Sequence, residues 1–292
     1  MLLVLGAVWG ASFMFIKIGV RELAPATLIC IRLAIGALTI LPLALARLGR
    51  ARLTEELRVY AWPLFVVGIL NSAVPITVLA WAEKRLDSGL SAVIQASSPL
   101  FTALLALAFV RSERVTGGRL VGFLVGFGGV ALLVGAQPAG DFAAAAGVVG
   151  SALCYAVSAL YAGRRLAEAS PLVTAVGSLA WAALVLAPFA AVQHPHAFPS
   201  WEVTGALLGL AVGGTGVAYV LYYAILAGAG ASYGILVTYL TPALALVYGA
   251  AFLGEPITVS ALGGLVLVLT GVALGTGVVR SLRRRSAVAS AP

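Results

Sequence analysis

The sequence predicts an all-α integral membrane protein: ten transmembrane helices, arranged as two inverted five-helix repeats around a central cavity. Three observations carry this. The chain is 62% hydrophobic and only 10% charged, with a mean hydropathy of +1.08. A water-soluble fold cannot hide that much apolar surface, so its solvent is largely lipid. Its apolar runs are about 20 residues long, the length that crosses a bilayer. The first and second halves of the chain also share a pattern of prolines, glycines and aromatics.

The spans are expected near 2–21, 26–46, 60–82, 89–110, 118–136, 144–163, 171–192, 203–226, 232–253 and 258–279. The first, Leu2 to Val20, has no basic leader and no small-residue cleavage site, so it reads as a span rather than a signal peptide. The connections are short, the longest near 47–59 and 193–202, and none could house a soluble active site. With a cytoplasmic N-terminus, the inner connections and tail carry thirteen arginines, and the outer ones carry only Arg21, Lys84 and Arg85. That bias supports ten spans, cytoplasmic termini and residence in the cell inner membrane. The net charge of +8 is then explained by orientation and anionic lipid, without nucleic acid as a partner. Cys30 and Cys154 fall in apolar runs and read as small buried hydrophobes, and no metal-ligand spacing is present.

The repeat organises the chain. Ser91 to Glu113 is an apolar helix with Pro99 inside it, and Tyr233 to Glu255 copies it around Pro242. The prolines are 143 residues apart, as are Gly128 and Gly271; Pro25 and Pro171, and likewise Pro42 and Pro188, are 146 apart. The units are 1–137 and 138–279, followed by a basic cytoplasmic tail, 280–292. Five spans per unit is an odd number, which turns the second unit upside down. Inverted repeats are a recurring architecture of secondary transporters, with the solute site near the midplane where the repeats meet.

Val8-Trp9-Gly10-Ala11-Ser12-Phe13, an arginine in the second span (Arg32) and the two proline-to-glutamate helices resemble the EamA-type drug/metabolite transporters over roughly 1–280. The resemblance implies a ten-helix basket whose first, third, fourth, sixth, eighth and ninth helices line the cavity. It also implies small metabolites as solutes, amino acids among them, often exported; aromatic amino-acid exporters are one such branch.

Site candidates come from polar faces matched through the repeat. Ser91, Gln95, Ser98 and Thr102 share one face of the fourth span. Gln95 and Ser98 match Thr238 and Thr241, while Trp9 and Ser12 match Tyr155 and Ser158. Thr77 and Trp81 match Tyr219 and Tyr223. Such a lining suits a small amphipathic solute, neutral or aromatic amino acids foremost. Alternatively, these hydroxyls glue helices together and the aromatics belong to the interfacial belts. Pro99 and Pro242 are gating hinges or static bends. Lys17 lies on the Trp9–Phe13 face and could hold a substrate carboxylate, or pair with Glu22, Glu83 or Asp87. Arg32 is expected to be structural, because its span does not line the implied cavity.

All ten acidic residues fall in connections or at span ends, which points to facilitated movement, with proton coupling through a span-end acid left open. No catalytic constellation, nucleotide-binding loop or cofactor motif is present, so an enzyme or ATP-driven pump is not expected. Transport of phosphorylated metabolites or nucleotide sugars, multidrug export, and a channel or scaffold are the alternatives. The glycine pairs of the fifth and tenth spans fit close packing in a monomer or a homodimer interface.

Overall fold

A computed structural model describes residues 1–109, 117–138, 141–193, 195, 197–229 and 231–276; side chains of 108, 109, 223, 226–229 and 231–236 lie outside the description. The tail 280–292, Glu113, His194, His196 and the Tyr223 side chain therefore fall outside the described residues. Among the described residues the fold is all-helical.

The helices, in order, begin with α1 (Leu2–Gly19) and α2 (Pro25–Val59). Next is α3, which runs as Ala61–Gly68, a π-helical Ile69–Ala73 and Val74–Ala82. In α4, Ser88–Gln95 and Ser98–Phe109 are separated at Ala96–Ser97. Then come α5 (Gly118–Gly135), α6 (Phe142–Arg165) and α7 (Pro171–Val192). The next helix, α8, runs as Trp201–Leu208, a π-helical Gly209–Val217 and Ala218–Ala229. The last two are α9 (Ala231–Leu253) and α10 (Val259–Gly275). Among the described residues, eight helices are long and apolar enough to cross a membrane, and two shorter apolar stretches, Val237–Leu253 and Val259–Gly275, follow them. The protein is thus a multi-pass membrane protein.

One expected connection is helical. The stretch after Gly49, read as a loop near 47–59, continues α2 beyond a turn in which Gly49 adopts φ 74°. A left-handed φ costs glycine little, which lets the helix change direction there. Beyond it Leu53 is buried, and Glu56 accepts a hydrogen bond from the Ser170 N–H at the head of α7 (2.8 Å).

The most extensive packing joins early helices to late ones: α5 with α10, α2 with α7, and α1 with α9. Small residues permit this. A Cβ on Gly271 would strike the Gly126 backbone, and one on Gly129 would lie 2.7 Å from Leu267 Cβ. In lipid, where apolar burial does not drive helices together, such close contact supplies the dispersion energy of association. The expectation that these glycines pack within one chain is met at this pair. Polar side chains tie α2 to α7, where the Thr27 hydroxyl donates to Gln193 O (3.1 Å) and the Cys30 thiol to Ala183 O (3.4 Å).

The two prolines have different settings. Just before Pro99, α4 breaks, and there the Ser97 hydroxyl donates to Ile94 O (2.7 Å) and that of Ser98 to Gln95 O (3.0 Å). By contrast, α9 runs through Pro242 unbroken.

Candidate functional site

Two π-helical segments interrupt the bundle's helices, one in α3 packed against α6 and α7 and one in α8 packed against α1 and α2. Each has a local cause. Pro75 lacks the N–H that would donate the regular helical bond just after Ile69–Ala73, and Gly209–Val217 contains four glycines. The wider turns set Asn71 and Thr215 towards the interior. The Asn71 side chain shares a hydrogen bond with the Tyr219 hydroxyl. The Thr215 hydroxyl reaches back to Leu210 O (3.2 Å), five residues earlier, as the wide turn allows.

Arg32 of α2 meets this region. It is 9% exposed, and its Nε donates to the Thr215 Oγ1 at 3.0 Å. Tyr155 of α6 and Tyr219 of α8 lie in its electrostatic field, as does Glu83 at the end of α3. Ser12 of α1 borders the same place, since a Cβ on Gly214 would sit 2.5 Å from its Oγ. The Ser12 hydroxyl donates to Val8 O (3.0 Å), and Ser158 is buried. Ser12, Tyr155 and Tyr219, proposed from the repeat, thus gather around Arg32, the residue sequence reasoning set aside as structural.

The other candidates lie elsewhere. Trp9 stacks obliquely on Tyr222 with ring centroids 5.4 Å apart, in a cluster with Leu5 and Ile225. Thr77 and Trp81 line an open groove of about 330 Å³ with Pro25, Ala26, Val78 and Gln193, between α2, α3 and the end of α7. Gln95 stays local at the α4 break: its Nε2 donates to Ser98 Oγ at 2.9 Å, and its Oε1 is buried without a partner. Thr241 donates to Val237 O (3.0 Å), and its carbonyl lies against Gly10; Thr238 is half-buried on the same helix.

Lys17 has a different occupation from the carboxylate pairing expected of it. Its Nζ donates to Glu83 O and Leu86 O, both at 2.7 Å, and so holds the end of α3. These are orphan carbonyls past the last turn of a helix, a natural place for an ammonium. Nearby, the Glu255 carboxylate caps the start of α4 by accepting from Ser88 N (2.9 Å), Ser88 Oγ (2.8 Å) and Gly89 N (3.2 Å). On the same end of the bundle, Arg21 pairs with Glu202 at 2.9 Å and Glu22 accepts from Ser200 N at 2.7 Å. The Ser200 bonds hold the Glu22 carboxyl below its ordinary range.

Glu83 was grouped in sequence with the span-end acids. It does end α3, yet it is fully buried, and both carboxylate oxygens lack a hydrogen-bond partner. A sequence signal existed: Leu79, Ala80 and Leu86 stand four, three and three residues from it, at helical spacing, and all three are buried. Asn71 and Thr215 gave only the weak signals of a lone amide in an apolar run and a hydroxyl among glycines.

Comparison with known proteins agrees with this architecture. The profile described as the EamA-like transporter family matches residues 1–135 and again 142–276. An uncharacterized transporter of Archaeoglobus fulgidus is 25% identical over 264 residues, covering 90% of this chain and 93% of its own length. The threonine/homoserine exporter RhtA of Escherichia coli is 35% identical over 138 residues, 46% of each chain. One solved crystal structure shares the fold with a TM-score of 0.67 at 21% identity, covering 96% of this chain and 97% of its own. With an apolar helical bundle and a profile that matches each half of it in turn, the chain belongs to the EamA-like transporter family.

Proposed function

We propose that this transporter is a secondary exporter of neutral amino acids or similar small amphipathic metabolites, working by alternating access in the cell inner membrane with both termini cytoplasmic. The observation that carries the reading is the polar cluster deep in the bundle, where Arg32, Thr215, Tyr155 and Tyr219 converge from three helices. Polar groups are costly at membrane depth and are concentrated along solute pathways.

Ten spans in two inverted repeats, 1–137 and 138–279, complete the proposal. Its support is the packing pattern. Exchanging each early helix for its late counterpart turns the α1–α9 contact into α6–α4, and α3–α6 into α8–α1, all of which occur. The two π segments fall in counterpart helices as well.

RhtA is named for threonine and homoserine, which makes small polar amino acids the first solutes to test and aromatic ones the second. Phosphorylated solutes are less well served. Lys17 is engaged by two carbonyls, which leaves Arg32 as the cation at the cluster.

The test is efflux and counterflow in liposomes of the purified chain, with labelled threonine, homoserine, leucine and phenylalanine. Saturable movement of at least one is expected, and Tyr219→Ala should lower its rate by about tenfold. Movement of none by a folded protein overturns the substrate class.

A further inference from the structure

The connection between α3 and α4 is pinned from both sides. It runs from Glu83 to Asp87, at the end of the bundle where α1, α3 and α9 finish and α4 begins, the outer end in the orientation proposed above. From α1, the Lys17 ammonium holds the Glu83 and Leu86 carbonyls, both at 2.7 Å. From the end of α9, the Glu255 carboxylate holds the Ser88 and Gly89 N–H groups at 2.9 and 3.2 Å. Alternating access requires this end to open in turn, and opening it releases the connection from α1, from α9 or from both.

Inside the pinned connection lies a carboxyl poorly placed to be an anion. Glu83 is fully buried, and neither carboxyl oxygen has a hydrogen-bond partner. Lys17 has a third N–H to give, but no ion pair joins it to Glu83; among the described residues the ion pairs are Arg21–Glu202 and Arg52–Glu56. A carboxylate buried without donors carries a large desolvation penalty, and such a group takes up a proton instead. Burial weighs most on Glu83 and favours the neutral carboxyl; Lys17 from α1 and Arg32 from α2 favour the ionised one, and Glu255 from α9 the neutral one. Lys84, Arg85 and Asp87 share its connection and are less buried. The helix α6, which packs on this half of α3, has no charged side chain between Phe142 and Gly163, and its titratable groups there are Cys154, Tyr155 and Tyr161.

We propose that Glu83 is a proton-operated latch: with its proton the α3–α4 connection stays seated and the outer end closed, and without it the carboxylate is accommodated only where that end opens to water. The inference rests on the alternating-access reading above and adds its regulation by pH on the outer side. The sign follows from linkage. The closed state keeps Glu83 protonated, whereas a hydrated glutamate is ionised above about pH 4.3. Opening therefore releases a proton, and raising the outer pH favours the open state. That proton leaves to the outer water on opening and returns from it on closing, so none crosses the membrane.

The experiment measures the opening directly, with no solute present. Cys30→Ser and Cys154→Ser remove the native thiols. Lys84→Cys and Ile257→Cys, both exposed, carry spin labels on the α3–α4 and α9–α10 connections. Distances between the labels are recorded by double electron–electron resonance on the full chain in nanodiscs, from about pH 5 to about pH 8, a range within reach of a buried carboxyl. One short distance is expected at the acid end. A second, longer one should grow as pH rises, its population ratio to the first changing by up to about tenfold per pH unit, the limit for one proton. Glu83→Gln, neutral and of the same shape, should show the short distance throughout, and Asp87→Asn should keep the response of the wild type. If Glu83→Gln fails to fold, Glu83→Met, also neutral and of similar length, should give the same closure at every pH.

A wild type whose distances ignore pH overturns the latch; Lys17 would then meet the ionised carboxylate in place with its third N–H. A response that survives Glu83→Gln, or one that vanishes with Asp87→Asn, overturns it as well. These results leave the export reading standing, since no solute enters the measurement. Failure of every tested amino acid to move in liposomes, with the opening still driven by pH, overturns the export reading and leaves the latch.

Discussion

At the residue scale, the buried charges divide into anchored and open ones. Lys17 and Glu255 are anchored: each ties the end of one helix to another through two or more short bonds. Removing Glu255 strands the Ser88 and Gly89 donors at the head of α4. Glu255→Ala should therefore destabilise the fold by about 2–4 kcal/mol, read as a lower Tm in detergent and earlier proteolysis. Glu255→Gln keeps one acceptor and should lose roughly half as much. The Arg32 cluster, the candidate site, was partly legible at this scale. Pairing residues across the repeat found Ser12, Tyr155 and Tyr219, because a polar residue in an apolar run is conspicuous. It also gathered Trp9, Trp81 and Gln95, which the fold sends to three other places. Helical spacing gives the face of one helix, whereas which neighbour covers that face is decided by packing between distant segments. Glu83 shows the limit most clearly: its place at a span end and its apolar neighbours at helical spacing are visible in sequence, and that Lys17 and Glu255 come to lie beside it is not.

At the element scale, the apolar runs located the helices, while their interruptions needed the structure. The π segments of α3 and α8 coincide with a proline and a glycine cluster, and the apolar pattern of the sequence does not show that the helices widen there. The helical continuation after Gly49 was hidden because its charged residues look like a loop, although Leu53 and Leu57 keep helical spacing. The α5–α10 contact makes a sharp prediction. Gly271→Ala places a methyl on the Gly126 backbone and should cost about 2–4 kcal/mol, with a lower Tm. Gly128 meets nothing within 4 Å, so Gly128→Ala on the same helix pair should be neutral or stabilising by up to about 1 kcal/mol. Equal effects would show that helix propensity, not close approach, governs these glycines.

At the scale of the whole molecule, composition alone settled that the solvent is lipid, and the arginine asymmetry gives the proposed orientation. Labelling checks it: Ser200→Cys, at the end with Arg21 and Glu202, should react with a membrane-impermeant thiol reagent added to intact cells. Arg165→Cys, at the opposite end of α6, should react only after the membrane is opened. The reverse pattern would invert the molecule, and with it the direction from which the Arg32 cluster is reached.

The pairing of early with late helices also has a bearing on biogenesis. When α5 leaves the ribosome, its glycine face has no counterpart until α10 is made, about 140 residues later. At ~5–20 residues per second that is a delay of roughly 7–28 s. Meanwhile α1, α2 and α5 sit in the bilayer with their small-residue faces towards lipid, open to any helix nearby. The same glycines that give the finished protein its tightest seam are, during synthesis, its most promiscuous surface, and quality control by membrane chaperones or proteases would act in that interval.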